Sequence, residues 1–276
     1  MRRLALGSSA VFVLMLAGGA KRPIPATTLR VCADPNNLPF SDRAGQGFEN
    51  KMAERLATSM QLKLEYTWWA QRRGFIRNTL NAGECDVVMG VPSSMDLLSA
   101  TRPYYRSTYV FVTRADRRLD IRSFNDSALR KLRIGVQLIG DDFANTPPAH
   151  ALAARGMVRN IVGFTVYGDY RERMPAARIV DAVIRGDVDV AVVWGPLGAY
   201  AARAQGVPLA ITMVSPRIDL PYLPFVYDIG IGVRRSDSTF RSRLDEWLVR
   251  DRVFIDSVLH VYHVPRLEIV SRTRSR

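Results

Sequence analysis

Histidines, cysteines and clustered carboxylates are where chemistry is sought first, and here they are few. The histidines are His150, His260 and His263. His260-x-x-His263 has the i,i+3 spacing that puts two imidazoles on one helix face. Two ligands do not complete a metal site, and Pro265 ends the helix directly afterwards, so the pair reads as surface or core. His150 lies in a Pro-rich loop beside no matched nucleophile. Asp141-Asp142 could act as acid and base, yet adjacent side chains point apart, and an N-cap followed by a first-turn acid is the better use. Gly186-Asp-Val-Asp189 is a helix stop and not a calcium loop. The sequence carries no phosphate loop, Gly-x-Ser-x-Gly elbow or zinc spacing. Catalysis is therefore not expected, nor is a metal or organic cofactor. Binding chemistry remains. Arg72-Arg73 suits a phosphate or carboxylate partner, or equally a solvated helix start, and Trp68, Trp69, Tyr104, Tyr105 and Trp194 offer aromatic walls.

Met1-Arg2-Arg3 is a positive n-region, residues 4–17 are apolar, and Gly18-Gly19-Ala20 offers small residues for cleavage. This predicts a secretory signal peptide over residues 1–20, too short to span a membrane, with no cysteine after it to take a lipid. Export would place Cys32 and Cys85 in an oxidising compartment. An even pair there favours a disulfide, although two buried free thiols would look the same in sequence.

The residues that could bind must be held by ordered elements, and the chain repeats one set of them. Leu29-Arg-Val-Cys-Ala-Asp34 predicts a buried strand, and Phe48, Met52, Leu56 and Met60 recur every four residues as in a helix. Residues 62–69 alternate as a strand, 74–82 read as a helix stopped by Gly83, and Asp86-Val-Val-Met-Gly90 is a second buried strand. The second half repeats this with the strand Leu132-Arg-Ile-Gly-Val-Gln137, a helix over 179–185 stopped by Gly186, and Asp189-Val-Ala-Val-Val-Trp194. The strand-to-glycine and glycine-to-aspartate spacings match. The expectation is an α/β protein of two lobes, each an open and mostly parallel sheet with flanking helices. Residues 108–113 and 222–233 form two hinge crossings, and residues 238–259 form a helical region packed back on lobe one. The boundaries expected are 27–112 plus 228–270 for lobe one, 113–221 for lobe two, and 271–276 for a basic tail.

Apolar residues make up 47% and charged residues 24%, enough for a packed core. Lys and Arg number 39 against 26 Asp and Glu, a formal charge of +13, or 37 against 26 (+11) without residues 1–20. The arginines are scattered along the chain rather than gathered in a stripe, so nucleic acid is not the expected partner.

Ligands of open α/β sheets bind beyond the carboxyl ends of the strands. That selects Asp34, Asn37 and Phe40 after the first strand, Ser93 and Ser94 after the third, Gln137 and Asp141 in lobe two, and Trp194. Arg73, Tyr104 and Trp69 join them near the cleft mouth; strand alternation lets at most one of Trp68 and Trp69 face inward.

The layout resembles the type II periplasmic solute-binding proteins of the amino-acid-binding sort. Several phrases are more specific. Val31-Cys-Ala-Asp-Pro-Asn-Asn-Leu-Pro-Phe40, Gly47-Phe-Glu-Asn50, Tyr66-Thr-Trp-Trp69, Gln71-Arg-Arg-Gly-Phe75, Arg102-Pro-Tyr-Tyr-Arg-Ser-Thr108, Asn145-Thr-Pro-Pro-Ala-His150 and Val193-Trp-Gly-Pro196 resemble the J proteins of methanol oxidation (MxaJ/XoxJ type). The resemblance implies a quinoprotein-dehydrogenase-associated periplasmic binding protein, with a methanol or alcohol dehydrogenase, and its cytochrome c, as partners. One departure matters. Amino-acid binders of the superfamily carry Thr-Pro-Glu-Arg after the lobe-one strand, and this arginine forks onto the ligand carboxylate. Here the chain reads Val91-Pro-Ser-Ser94, with Ser94 in the arginine's place. Trp194 stands where an aspartate would take the ammonium. With both halves of that clamp gone, ordinary amino acids are poor candidates. The alternative to a protein partner is a small uncharged or aromatic solute delivered to a transporter.

Overall fold

The computed structural model describes residues 27–139, 145–203 and 206–269. The expected signal peptide, Asp141-Asp142 and the tail 271–276 lie outside the described residues.

The first lobe starts with β1 (Thr28–Ala33), whose Leu29 and Val31 are buried. It pairs in parallel with β2 (Lys63–Trp68), from Thr28↔Lys63 to Ala33↔Trp68. A parallel bridge, Val31↔Val87, ties β1 to the segment entering β3 (Val88–Pro92). Between β1 and β2 runs α1 (Phe48–Ser59), which buries Phe48, Met52 and Leu56 at the four-residue spacing of one helix face. Asn50 fixes its start, since its Oδ1 accepts from the backbone N–H groups of Asp42 at 2.9 Å and Gly47 at 3.1 Å. Gly47 has no alternative, because a Cβ there would fall 2.0 Å from the carbonyl oxygen of Phe40.

The helix expected over 74–82 is cut to one turn, α2 (Phe75–Asn78). The Thr79 hydroxyl donates to the carbonyl of Phe75 at 2.7 Å, and the chain continues in wider turns, Asn81 N–H to Ile76 and Glu84 N–H to Thr79. A β-branched residue that satisfies a helical carbonyl with its own hydroxyl favours leaving the helix.

The first crossing is longer than residues 108–113. It is β4 (Tyr105–Arg114), a single ten-residue strand. The second lobe follows as β5 (Ile134–Gln137), α3 (Pro147–Ala154), β6 (Ile161–Phe164), α4 (Arg178–Arg185), β7 (Val190–Trp194), α5 (Gly195–Arg203) and β8 (Leu209–Met213). The return strand β9 (Val226–Val233) leads to α6 (Ser238–Arg250) and α7 (Arg252–Val261). The single helical region expected over 238–259 is therefore two helices meeting at Asp251, whose buried carboxylate takes Arg55 at 2.7 Å and Arg250 at 3.1 Å.

One sheet joins the lobes in the order β3-β9-β4-β7-β5-β6, with β8 on β4 and Ser99–Ala100 on β9. β5, β6 and β7 pair in parallel. Antiparallel pairing is gathered on the crossings: residues 105–108 of β4 pair with β9, and residues 109–114 pair with β7 and β8. The lobes have separate cores, one in two clusters built on Phe48, Met52, Leu56 and Trp247 and on Phe75, Leu80 and the Cys32–Cys85 pair, the other in two clusters around Ile179 and Val183 and around Phe111, Phe124 and Phe225.

The internal repeat is also repeated in its contacts. Arg30 donates to Asp86 through its backbone N–H and guanidinium and to the Gly83 carbonyl. Arg133 reaches Asp189 and the Gly186 carbonyl in the same way. Gly83 and Gly186 both sit at positive φ, +81° and +76°, where a side chain would be strained. Cys32 and Cys85 form a disulfide between β1 and the approach to β3, with Cα atoms 5.5 Å apart.

Candidate functional site

A cavity of about 700 Å³ opens between the two lobes, beyond the carboxyl ends of β1, β3, β5 and β7. Of the residues expected there, Asn37, Phe40, Arg73, Gln137 and Trp194 line it. Asn37 and Phe40 come from the loop after β1, Arg73 from the loop before α2, and Gln137 and Trp194 from the ends of β5 and β7. Asn37 Nδ2 donates to Gln71 Oε1 at 2.9 Å. The Gln137 carbonyl accepts from the Thr146 hydroxyl at 2.9 Å.

Asp34 supports the wall from behind. It is 1% exposed, and its carboxylate accepts from the backbone N–H groups of Asn36 at 3.0 Å and Gln71 at 2.6 Å. One side chain thus fixes two loops that carry Asn37, Gln71, Arg72 and Arg73. Burial raises its carboxyl above the usual range, against the opposing pull of these two bonds.

Four further expected residues lie off the wall, and Asp141 is outside the described residues. Tyr104 is buried, with its hydroxyl donating to the Met89 carbonyl at 2.9 Å; its neighbour Tyr105 lines the cavity instead. Ser93 and Ser94 are exposed, because a turn closed by Met95 N–H on the Pro92 carbonyl carries them away from the cleft. Trp69 follows the end of β2 and is exposed. Trp68 does not replace it, since it stacks on Tyr66 at 4.5 Å beneath the Arg43 guanidinium.

Trp194 is the centre of an aromatic cluster. It lies opposite Tyr109 in the β4/β7 register, with ring centroids 5.4 Å apart, and 5.9 Å from Tyr227 on β9. The two crossings and β7 therefore place three rings side by side on one wall. The lobes also touch beside the cavity, where Asn36 Nδ2 donates to the carbonyls of Asp169 at 2.6 Å and Glu172 at 2.9 Å.

Sequence reasoning missed the most unusual group in the cavity. Glu49, in the first turn of α1, is buried and lines the cavity against Gly90. Burial alone pushes its carboxyl up to about 8. A faint signal was present: Glu49, Ala53 and Ala57 recur every four residues and all are buried, so the acid belongs to the inward face.

A cavity walled by aromatic and aliphatic side chains, with Glu49, three arginines and several amides set among them, is the geometry of a binding site, and among the described residues no nucleophile is paired with a base in it. The sequence matches the bacterial extracellular solute-binding proteins, family 3, over residues 29–251. It is 31% identical over 264 residues to protein MoxJ of Methylorubrum extorquens, covering 92% of this chain and 86% of that one. The crystal structure of periplasmic binding protein XoxJ from Methylobacterium extorquens AM1 is similar with a TM-score of 0.71 at 32% identity, covering 88% of this chain and all of that one. MxaJ from Methlophaga aminisulfidivorans MPT gives 0.75 at 27% identity, covering 87% of this chain and all of that one. The chain belongs to the bacterial extracellular solute-binding proteins of family 3 and, within them, to the J proteins that include MoxJ and XoxJ.

Proposed function

We propose that this protein is a periplasmic, non-catalytic accessory factor that associates with a PQQ-dependent methanol or alcohol dehydrogenase and serves its maturation or activation. The observation that carries this reading is similarity at 31% and 32% identity to MoxJ and XoxJ over about nine tenths of the chain. Two features support it. The zwitterion clamp of amino-acid binders is missing, with Ser94 exposed and Trp194 on the cavity wall. The charge of +11 beyond residue 20 steers encounter with an acidic protein surface. The dehydrogenase's cytochrome c is the second candidate partner, and residues 1–20 would direct export.

The cavity itself favours a second reading, a solute receptor for an uncharged or aromatic compound, because about 700 Å³ lined by Trp194, Tyr109 and Tyr227 fits a small molecule. Copurification from the periplasm, with mass spectrometry of bound protein and bound small molecules, separates the two. Near-stoichiometric dehydrogenase supports the accessory role; a captured solute without dehydrogenase overturns it in favour of the receptor.

A further inference from the structure

Glu49 is 9% exposed. Among the described residues no hydrogen bond or ion pair reaches its carboxylate. The group is nevertheless accommodated by design of the backbone: a Cβ on Gly90 would fall 2.0 Å from Glu49 Oε1, so only glycine leaves the carboxyl its place. The titratable groups that face it are phenols, Tyr66 from β2, Tyr104 and Tyr105 at the start of β4, and Tyr167 after β6. Among the described residues burial, and no cation, sets its titration, although Arg72, Arg73 and Arg77 line the same cavity. A carboxylate buried without a counter-ion is costly, and the site it faces is open to a ligand.

We propose that Glu49 is the counter-ion site for a protonated amine carried on an apolar or aromatic body, which enters the cavity between the lobes. The aromatic cluster of Trp194, Tyr109 and Tyr227 receives the body, and ring faces tolerate a neighbouring cation. This inference rests on the cleft and not on the dehydrogenase partnership. In the empty cleft at pH 7 the carboxyl holds its proton. When an ammonium arrives, that proton leaves to solvent and the ionised carboxylate pairs with the ligand, so one positive charge replaces another. An uncharged aromatic compound lacks the pairing. An amino acid zwitterion brings a second carboxylate toward Glu49 without the arginine fork to hold it.

The test is isothermal titration calorimetry on the protein without residues 1–20, with phenethylamine, 2-phenylethanol, L-phenylalanine and N-acetyl-Phe-Lys-amide. Each is run in two buffers of different ionisation enthalpy at pH 6 and 7. Phenethylamine is expected to bind at least tenfold more tightly than 2-phenylethanol. It is expected to release roughly 0.9 proton per molecule at pH 7, because a group titrating near 8 is then mostly protonated. Its affinity should fall about tenfold from pH 7 to pH 6. Binding of the lysine peptide in place of phenethylamine, with the same proton release, assigns the ammonium to a polypeptide partner. Glu49→Gln should abolish the amine preference and the proton release while 2-phenylethanol binds as before. Gly90→Ala, which displaces the carboxyl, should act likewise if the glutamine variant fails to fold. Absence of binding by either amine, equal binding of amine and alcohol, no proton release, or a Glu49→Gln protein that keeps the preference would each overturn the proposal.

Discussion

Replacing Glu49 with glutamine should change how stability depends on pH, and by an amount the structure sets. The carboxyl titrates at about 8 in the folded protein and at about 4.5 when exposed. Between those values the folded state holds a proton that the unfolded state has lost. Raising the pH across that window therefore favours unfolding, by about 1.4 kcal/mol per unit. Below the window both states are protonated, above it both are ionised, and the slope vanishes. From pH 5 to pH 7 the wild type should lose about 2.5 kcal/mol relative to Glu49→Gln, whose amide does not titrate. Asp34 and Asp181 are also raised by burial, but they are common to both proteins and drop out of the difference. Urea unfolding at pH 5, 6 and 7 measures it. Parallel pH profiles for the two proteins would refute the claim that this carboxyl is buried without a counter-ion.

Asp34→Ala should cost about 2 kcal/mol, because it strands the buried N–H groups of Asn36 and Gln71; a loss under 0.5 kcal/mol in denaturant unfolding would show that the two loops hold themselves. Serine at Cys32 and Cys85 should cost about 4 kcal/mol in the chain-entropy model, given a sequence separation of 53, with equal midpoints for oxidised wild type and the double variant as the contrary result. No proteinogenic amino acid at 1 mM should raise the melting temperature, since a ligand at 100 times its dissociation constant adds about 2.7 kcal/mol; a clear shift by any of them would restore the amino-acid reading of the cleft.

Local signals carried most of the fold into the sequence. Gly83 and Gly186 announce helix stops because left-handed backbone suits glycine, and Asp86 and Asp189 follow them at equal spacing. The four-residue rhythm of Phe48, Met52 and Leu56 is a property of one helix face. What failed depended on particular contacts, some local and some distant, that hydrophobic rhythm does not set. Alternation says that one of Tyr104 and Tyr105 faces inward, but not which; Met89's carbonyl decides it by accepting from Tyr104. Trp68 stacks on Tyr66, its same-face neighbour on β2, under the guanidinium of Arg43, and the arginine is the part of that arrangement the strand's spacing does not encode. Ser93 and Ser94 follow β3 as expected, yet a turn closed by a single backbone bond from Met95 points them outward. Glu49 was the largest omission. Its place depends on the missing Cβ of Gly90 on β3, against which α1 packs, so neither residue reveals it alone.

The central claim is association with a quinoprotein dehydrogenase, and surface plasmon resonance tests it most directly. The purified protein without residues 1–20 and its Trp194→Ala variant are passed over immobilised quinoprotein methanol dehydrogenase at 0.01 M and 0.15 M salt. Across that range the Debye length falls from about 30 Å to about 8 Å, so the on-rate should drop more than the off-rate rises. A partner segment seated against Trp194, Tyr109 and Tyr227 should dissociate at least tenfold faster from Trp194→Ala, as loss of a desolvated aromatic anchor requires. An unchanged off-rate would move the contact to the outer charged face. No binding at 0.01 M salt would contradict the account.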